Sequence, residues 1–444
     1  MERDRTSSFP DSGQVHPSRN VKVEQMDRRQ FLAASPIVIG AGASVASAQD
    51  YSDYTKDPRP DVPEGTCTAG SLDGEVFAGP PVVSGPGSDC VFILQPLQRT
   101  ATGHLEYAVE DGEWNRVEAL HAGMRPMSEH VLKFRLPLLP AGKRIRYRVV
   151  AHTIGWIKVR QFYHGVMQAG KPQTSSERAF NSLNPAAEST SFAVWNDTHE
   201  NDETIAALQK QTTELKPDFL LWNGDQSNDC HFERDMSGQF LTPSGLAIAD
   251  QRPLAYVRGN HECRGPAAWS LPEFTGSQND EFYYGFRSGP IAALVMDTGE
   301  DKADSHQAFG GTAAYANMQQ AQAEWLKQIV KEDWFKSAPH KILFCHIPLW
   351  IRRQKPGVFG GHSLCRKLWS PTLIDAGIKL VISGHTHTHH WMPIRDDQPV
   401  AQLIGGGPNP ASATLIHGTA DAKEIRLRVL KLDGTSAADI RLPA

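Results

Sequence analysis

Five short apolar segments of this chain each end in polar residues that can bind a metal ion. The segments begin at residues 191, 219, 254, 342 and 378, and apolar runs of this length are typical of buried strands. The polar groups that follow them are Asp197-Thr198-His199, Gly224-Asp225, Gly259-Asn260-His261-Glu262, His346, and Gly384-His385-Thr386-His387. Because the carboxyl ends of sheet strands meet along one edge, we expect these five groups to converge on one crevice.

The residue types in these groups indicate which metals the crevice would bind. Carboxylate, amide oxygen and imidazole ligands suit Mn, Fe, Zn or Co better than calcium or a thiolate-bound metal. The chain has 18 histidines and only 6 cysteines, which also argues against a cysteine-rich zinc fold. Each motif alone is a weak signal, but five in succession, each at a strand end, make coincidence improbable.

With these motifs in this order, the chain resembles the calcineurin-like metallophosphoesterases over about residues 190–390. The resemblance implies a four-layer α/β (α+β) fold in which two mixed sheets are flanked by helices. It also implies two adjacent metal ions that share the carboxylate of Asp225. One ion would be held by Asp197, His199, Asp225 and His387, and the other by Asp225, Asn260, His346 and His385.

The activity implied by the resemblance is hydrolysis of a small-molecule phosphate ester. A hydroxide bridging the two metals would attack phosphorus in line. His261 would be catalytic, because it would face the substrate phosphate, stabilise the developing charge and protonate the leaving oxygen. Asn228 stands where purple acid phosphatases carry a tyrosine and many other relatives an aspartate, so a tyrosinate-coloured iron site is not expected. Asn228 and its neighbour Asp229 are the second-shell candidates for orienting His261.

Three other functions are considered. The spacing from Asp225 to Asp229 is similar to that in some cyclic-nucleotide phosphodiesterases, so such an enzyme or a nucleotidase is an alternative. A non-catalytic, metal-containing binding protein is a second alternative, although the complete set of ligands argues against it. A nuclease is disfavoured, and no nucleic-acid partner is expected, because 45 Lys+Arg stand against 50 Asp+Glu, a net charge of -5.

Residues 1–48 combine a polar extension with a segment that resembles a twin-arginine export signal. Arg28 and Arg29 precede a mild apolar run, and Ala46-Ser47-Ala48 offers a small-residue cleavage site. We expect the twin-arginine machinery to export the chain to the periplasm or the extracellular space. Residues 31–48 are too short and too weakly apolar for a stable membrane span. Met1 and Met26 are both candidate start residues.

Two folded regions are expected after the signal. Residues 64–185 contain short strands at 90–94, 103–109, 131–136 and 145–151 without an amphipathic helix, a pattern typical of a β-sandwich. In position and strand pattern this region resembles the fibronectin-like domain that precedes the catalytic domain of purple acid phosphatases. Residues 188–444 alternate strands with helices, the clearest at 201–216 and 317–331, and form the predicted catalytic domain.

Two further hypotheses concern the loops around the site. Cys230 and Cys263 lie in loops that must approach each other, and export permits a disulfide between them. Residues 264–289 and 350–353 are candidates for the pocket wall, with surface packing as the alternative. An arginine in either segment could bind a phosphate with two parallel hydrogen bonds.

Overall fold

The computed structural model describes residues 65, 67–87, 90–137, 139–159, 162–277, 280–351 and 361–444. The predicted export signal and the arginines at 352 and 353 lie outside these residues. Residues 61–444 form one compact unit. Within the described ranges, no helix combines the length and the apolar character needed to cross a membrane.

Strands outnumber helices in the described part of the chain. The strands are β1 (Val82–Ser84), β2 (Cys90–Pro96), β3 (Ala101–Val109), β4 (Asn115–Val117), β5 (Val131–Pro137), β6 (Arg144–Val159), β7 (Phe162–Ala169), β8 (Gln173–Thr174), β9 (Arg178–Asn181), β10 (Thr190–Trp195), β11 (Phe219–Asn223), β12 (Leu254–Val257), β13 (Tyr284–Ser288), β14 (Ile291–Val295), β15 (His340–Phe344), β16 (Leu380–Ser383), β17 (His390–Met392), β18 (Ala401–Ile404), β19 (Thr414–Ala420), β20 (Glu424–Lys431) and β21 (Ser436–Pro443). The α-helices are α1 (Asp202–Leu215), α2 (Glu233–Met236), α3 (Tyr315–Ile329), α4 (Asp333–Lys336) and α5 (Gly361–Asp375).

The strands form three sheets. A nine-stranded sheet has the order β21-β20-β19-β10-β11-β12-β1-β2-β5, and a six-stranded sheet has the order β13-β14-β15-β16-β18-β17. Strands β10, β11 and β12 run parallel to one another in the first sheet, as do β14, β15 and β16 in the second. The third sheet follows the order β4-β3-β6-β7, and β8 and β9 also pair with β6.

The first two sheets pack face to face through an apolar core. Phe192 of β10 stacks on Phe219 of β11, with ring centroids 5.5 Å apart, and meets Phe344 of β15 edge-on at 5.9 Å. Helix α1 packs on the outer face of the nine-stranded sheet, and helices α3 and α5 pack on the outer face of the six-stranded one. The predicted four-layer fold with two mixed sheets is therefore confirmed.

Local sequence explains where the helix after β10 begins and ends. The side chain of Asn201 accepts a hydrogen bond from the backbone N–H of Thr204 and so caps the first turn. Lys216 adopts a left-handed conformation after the last turn, and Pro217 cannot continue the helix. The helices predicted at residues 201–216 and 317–331 are present as α1 and α3.

The N-terminal strands build a second core and also extend the first sheet. The core lies between the β2 and β5 strands and the β3 and β6 strands, as a sandwich requires. However, β1 pairs in parallel with β12, with Ser84 opposite Leu254. This pairing satisfies backbone groups that an open edge of β12 would leave exposed. The division into domains 64–185 and 188–444 stays a prediction, and the structure adds that one hydrogen-bonded sheet runs across it.

Candidate metal centre

All seven predicted metal ligands lie together at the carboxyl ends of five strands. Strands β10, β11 and β12 deliver their loops from one sheet, and β15 and β16 deliver theirs from the facing sheet. Because both sets of parallel strands end at the same side of the two packed sheets, residues far apart in sequence become neighbours. The seven ligands are Asp197, His199, Asp225, Asn260, His346, His385 and His387.

The first ligand group consists of Asp197, His199, Asp225 and His387, whose ligand atoms all lie within 4.8 Å of one another. Nε2 of His199 is 3.6 Å from Oδ2 of Asp225 and 3.1 Å from Nε2 of His387. Nε2 of His387 is 3.6 Å from Oδ1 of Asp197. Two carboxylates and two imidazoles at this spacing can surround one metal ion.

The second ligand group consists of Asp225, His346 and His385, and the amide oxygen of Asn260 adjoins it. Nε2 of His346 is 3.0 Å from Oδ2 of Asp225 and 3.1 Å from Oδ1 of Asn260. The same amide oxygen is 2.9 Å from Nδ1 of His385. Since Oδ2 of Asp225 faces His199 as well as His346, this one carboxylate belongs to both groups.

Left-handed backbone at the ligands turns their side chains into the site. Asp197, Asp225 and His385 have φ angles of 47°, 50° and 70°, a region that non-glycine residues rarely adopt. Gly224 is required for a different reason. A Cβ at this position would lie 2.5 Å from Nδ1 of His346, so only glycine allows the two loops to approach this closely.

Hydrogen bonds to the outer ring nitrogens orient two of the histidines. Nδ1 of His346 donates to the carbonyl of Asn223 at 2.8 Å, and Nδ1 of His199 donates to Oδ1 of Asn228 at 3.2 Å. In the neutral form of each ring, Nε2 is left as the acceptor that points into the site. An outer hydrogen bond of this kind fixes the tautomer that a metal ligand needs.

Burial and charge adjust the protonation of the ligands in opposite directions. Burial lowers the pKa of His199 and of His385 to about 4, so both rings are neutral near pH 7. Burial alone would also lower the pKa of His346, but the carboxylates of Asp225 and Asp197 outweigh it and raise the pKa to about 10. Burial raises the pKa of Asp197 well above its usual range. A bound cation would replace the proton on His346.

His261 lies beside the ligands, and Asn228, one of its two predicted partners, bonds to it through a backbone carbonyl. Its ring centroid is 4.6 Å from that of His199, and its backbone N–H donates to Oδ1 of Asp225 at 2.9 Å. Nδ1 of His261 donates to the backbone carbonyl of Asn228 at 2.7 Å. The side chain of Asp229, the other predicted candidate, faces Nε2 of His231 at 3.6 Å.

The hypothesis of a disulfide between Cys230 and Cys263 is also wrong, because both are free thiols in the structure. The two loops do approach each other, since the backbone N–H of Cys230 donates to the carbonyl of Arg264 at 2.8 Å. The sulfur atoms, however, donate to different carbonyls. Sγ of Cys230 bonds to Glu262 and Sγ of Cys263 bonds to Gly259.

Two residues near the site, Glu262 and Glu300, have roles that sequence reasoning missed, and a third, Arg264, begins a segment predicted as pocket wall. Glu262 is buried and accepts backbone hydrogen bonds from two of the ligand loops. Arg264 donates from Nη1 to Nε2 of His261 at 2.9 Å, and Glu300 binds the other side of its guanidinium. The Gly-Asn-His-Glu motif contains Glu262, and Arg264 follows the motif by two residues, so the local sequence marks both positions. No local signal distinguishes Glu300.

Part of the predicted pocket wall lines a cavity in the structure. Trp269 and Phe282 line a cavity of about 640 Å³ together with Arg258 and Tyr315, but none of the seven metal ligands lines this cavity. From residues 264–289, Arg264 is the side chain found in contact with His261. Trp350, the first residue of the other predicted segment, is buried in the core of the six-stranded sheet.

Comparisons with known proteins agree with this fold and these motifs. Residues 190–389 match the family model described as calcineurin-like phosphoesterase. The chain is 28% identical over 195 residues to the serine/threonine-protein phosphatase CPPED1 of Pongo abelii, covering 42% of this chain and 59% of that protein. It is 31% identical over 163 residues to the protein of the same name from Mus musculus, covering 36% of this chain and 49% of the relative.

A solved structure shows the same fold over a longer stretch. Purple acid phosphatase PPD1 from yellow lupin (Lupinus luteus) seeds superposes with a TM-score of 0.61 at 14% identity, covering 82% of this chain and 74% of that one. Together these findings support the metallophosphoesterase family for the matched region, residues 190–389. The chain spans 59% of the length of the Pongo abelii relative.

Proposed function

We propose that the chain is a metal-dependent phosphoric ester hydrolase with a binuclear metal centre. The observation that carries this proposal is the position of Asp225. Its Oδ2 lies 3.6 Å from Nε2 of His199 and 3.0 Å from Nε2 of His346, so one carboxylate faces both ligand groups. Two cations at close range repel strongly unless an anionic ligand lies between them. The match to the phosphoesterase family and to relatives named phosphatases supports the reaction class.

The residues present fit two such ions. Mn, Fe, Zn or Co at these positions would supply positive charge for the phosphoryl oxygens and would acidify a water molecule. The protein holds the ligands in place for this purpose: both carboxylate oxygens of Asp197 accept a hydrogen bond from the backbone N–H of His385, at 2.8 and 2.9 Å. Asp225 is held in the same way by the backbone N–H of His261.

His261 is the proposed proton donor to the leaving oxygen. Its Nδ1 donates to the carbonyl of Asn228, and its Nε2 accepts from Nη1 of Arg264. A proton on Nε2 can be delivered to the substrate only if Nη1 turns to another acceptor. The phosphoryl group is such an acceptor, so substrate binding would free Nε2 of His261 to take up a proton from solvent and pass it to the leaving oxygen.

The test of the proposal is an assay of purified, metal-reconstituted protein with three substrates: an aryl monophosphate, a bis-aryl phosphate and a cyclic nucleotide. We expect hydrolysis with added Mn, and loss of both metal and activity in Asp225→Asn. Asp229→Asn is the matched control, because its carboxylate lies nearby but faces His231. Full metal content in Asp225→Asn, or no hydrolysis of any of the three by the metal-loaded protein, would contradict the proposal. Cyclic nucleotide as the best substrate would select the phosphodiesterase alternative.

We also propose that residues 1–48 direct export by the twin-arginine machinery. Arg28 and Arg29, followed by the apolar run and Ala46-Ser47-Ala48, support this proposal. Replacing both arginines with lysine should keep the protein in the cytoplasm of a bacterial host, as measured by fractionation. Lys22→Arg is the control, since it leaves the arginine pair intact. Equal export of the wild type and the double-lysine variant would contradict the proposal.

A further inference from the structure

The guanidinium of Arg264 lies between the candidate metal centre and two acidic residues. Nε and Nη2 donate to Oε1 of Glu300 at 3.1 and 2.6 Å, and Nη2 also donates to Oδ1 of Asp301 at 3.3 Å. The Glu300 side chain is fully buried, whereas 26% of the Arg264 side chain is exposed. The buried carboxylate therefore fixes one side of the guanidinium and leaves the other side open towards the site.

Nη1, on that open side, has no carboxylate partner among the described residues. Its neighbour is the ring of His261, with Nε2 at 2.9 Å and Nδ1 at 3.2 Å. Nδ1 already donates to the carbonyl of Asn228, so only Nε2 can accept from Nη1. Because Nη1 carries two N–H groups, at least one of them is available to a ligand.

The amide of Asn260 places a second donor against the same guanidinium. When Oδ1 of Asn260 faces His346 and His385, as a metal ligand must, its amide nitrogen lies 2.8 Å from Nη2 of Arg264. The amide nitrogen then faces a donor and has no acceptor there, because both N–H groups of Nη2 already bond to Glu300 and Asp301. An oxygen of a ligand, and a negatively charged one best, would give this amide an acceptor beside the free N–H of Nη1.

We propose that Arg264 binds the charged, non-esterified oxygen of a phosphate monoester and makes the site prefer monoesters to diesters. This inference rests on the hydrolase function proposed above. A monoester dianion has three non-bridging oxygens, so one remains for the protein when the other two face the metal centre. A diester carries an ester group in its place and one negative charge less. The planar fork of an arginine gives that third oxygen a charge-assisted hydrogen bond.

The experiment compares Arg264→Gln with the wild type, using an aryl monophosphate, a bis-aryl phosphate and inorganic phosphate as probes. In Arg264→Gln, kcat/KM for the monoester should fall about 100-fold, and at least ten times further than for the diester. Arg264→Lys should recover part of the loss, because it keeps the charge but not the fork. Binding of inorganic phosphate to the metal-loaded protein, measured by calorimetry, should weaken at least about tenfold in Arg264→Gln.

Lys302→Gln is the matched control. Lys302 also pairs with Glu300 and Asp301, and these acidic side chains rather than His261 are its partners, so its loss should leave phosphate binding and the ester preference unchanged. Metal content and thermal unfolding of each variant show whether it is folded and loaded. An Arg264→Gln variant that folds poorly is replaced by Arg264→Lys, whose ester preference should shift in the same direction.

Each outcome decides the proposal. Equal loss with both esters in Arg264→Gln, or unchanged phosphate affinity, would overturn it, because Arg264 would then act through His261 or through stability. A wild type that hydrolyses neither ester would overturn the hydrolase function instead. In that case the affinities of Arg264→Gln and Lys302→Gln for inorganic phosphate are compared, and weaker binding in Arg264→Gln alone shows that Arg264 binds the anion.

Discussion

Oε2 of Glu262 accepts a 3.0 Å hydrogen bond from the backbone N–H of Asp225, the residue shared by both ligand groups. The same oxygen accepts from the backbone N–H of Gly259 at 2.7 Å, and Oε1 accepts from that of Ser227 at 3.0 Å. Burial, together with the charge of Asp225, raises the pKa of Glu262 to about 7. One buried carboxyl group therefore joins the loop after β11 to the loop after β12.

Glu262→Gln should loosen both loops. The substituted amide can present only one acceptor oxygen, so its NH₂ group would face a backbone donor. We expect a loss of about 2 kcal/mol in the free energy of unfolding and metal binding that is about 10- to 100-fold weaker. Glu214→Gln, at an exposed position of α1, is the control. Unchanged metal affinity in Glu262→Gln would show that the two loops keep their positions without this carboxylate.

Asp225 and His261 should separate metal binding from catalysis. His261→Ala is expected to lower kcat by about 10²- to 10⁴-fold with metal content nearly unchanged, because a positioned acid contributes a factor of this size. Asp225→Asn should lose metal, since its carboxylate faces both ligand groups. Metal analysis of the dialysed variants provides the measurement. Equal metal loss in both variants would refute this division of roles.

Metal loading should release protons. His346, with a pKa of about 10 in the metal-free protein, is protonated at neutral pH, and a metal ligand must be the neutral imidazole. Apparent metal affinity should therefore rise by roughly tenfold per released proton for each unit of pH between 6 and 8. Calorimetric titrations with Mn in two buffers of different ionisation enthalpy measure the release directly. Identical heats in the two buffers would mean that no proton leaves.

His417 should weaken the fold in acid. Burial and the neighbouring Arg428 lower the pKa of His417 from its usual 6.5 to about 4. Because the folded state binds fewer protons than the unfolded state between these values, stability is fully present above 6.5 and is lost as the pH falls towards 4. Between pH 7 and pH 5, the melting temperature of His417→Gln should fall less than that of the wild type, by about 2 °C. His121 is exposed, so His121→Gln should respond to pH as the wild type does. If His417→Gln and His121→Gln respond equally, groups other than His417 cause the loss of stability in acid.

Much of this molecule follows from local patterns in the chain. The apolar runs that end in Asp, Asn and His are buried strands in the structure, and their order is enough to predict the four-layer fold and the side chains that meet at the strand ends. This succeeds because a buried strand requires a continuous apolar run, and a ligand loop requires polar residues directly after it. Even the division of the ligands into two groups that share Asp225 is reproduced by the distances.

The remaining features depend on the directions in which distant loops leave their strands. The backbone carbonyl of Asn228, rather than the side chain of Asp229, accepts from Nδ1 of His261, and this contact joins the loop after β11 to the loop after β12. Cys230 and Cys263 approach each other without bonding, since their thiols bond to different carbonyls. The contact between Arg264 and Glu300, and the pairing of β1 with β12, join segments that no local pattern relates. Sequence patterns encode which residues are buried and where strands end, whereas only the packed sheets bring these separate loops within hydrogen-bonding distance.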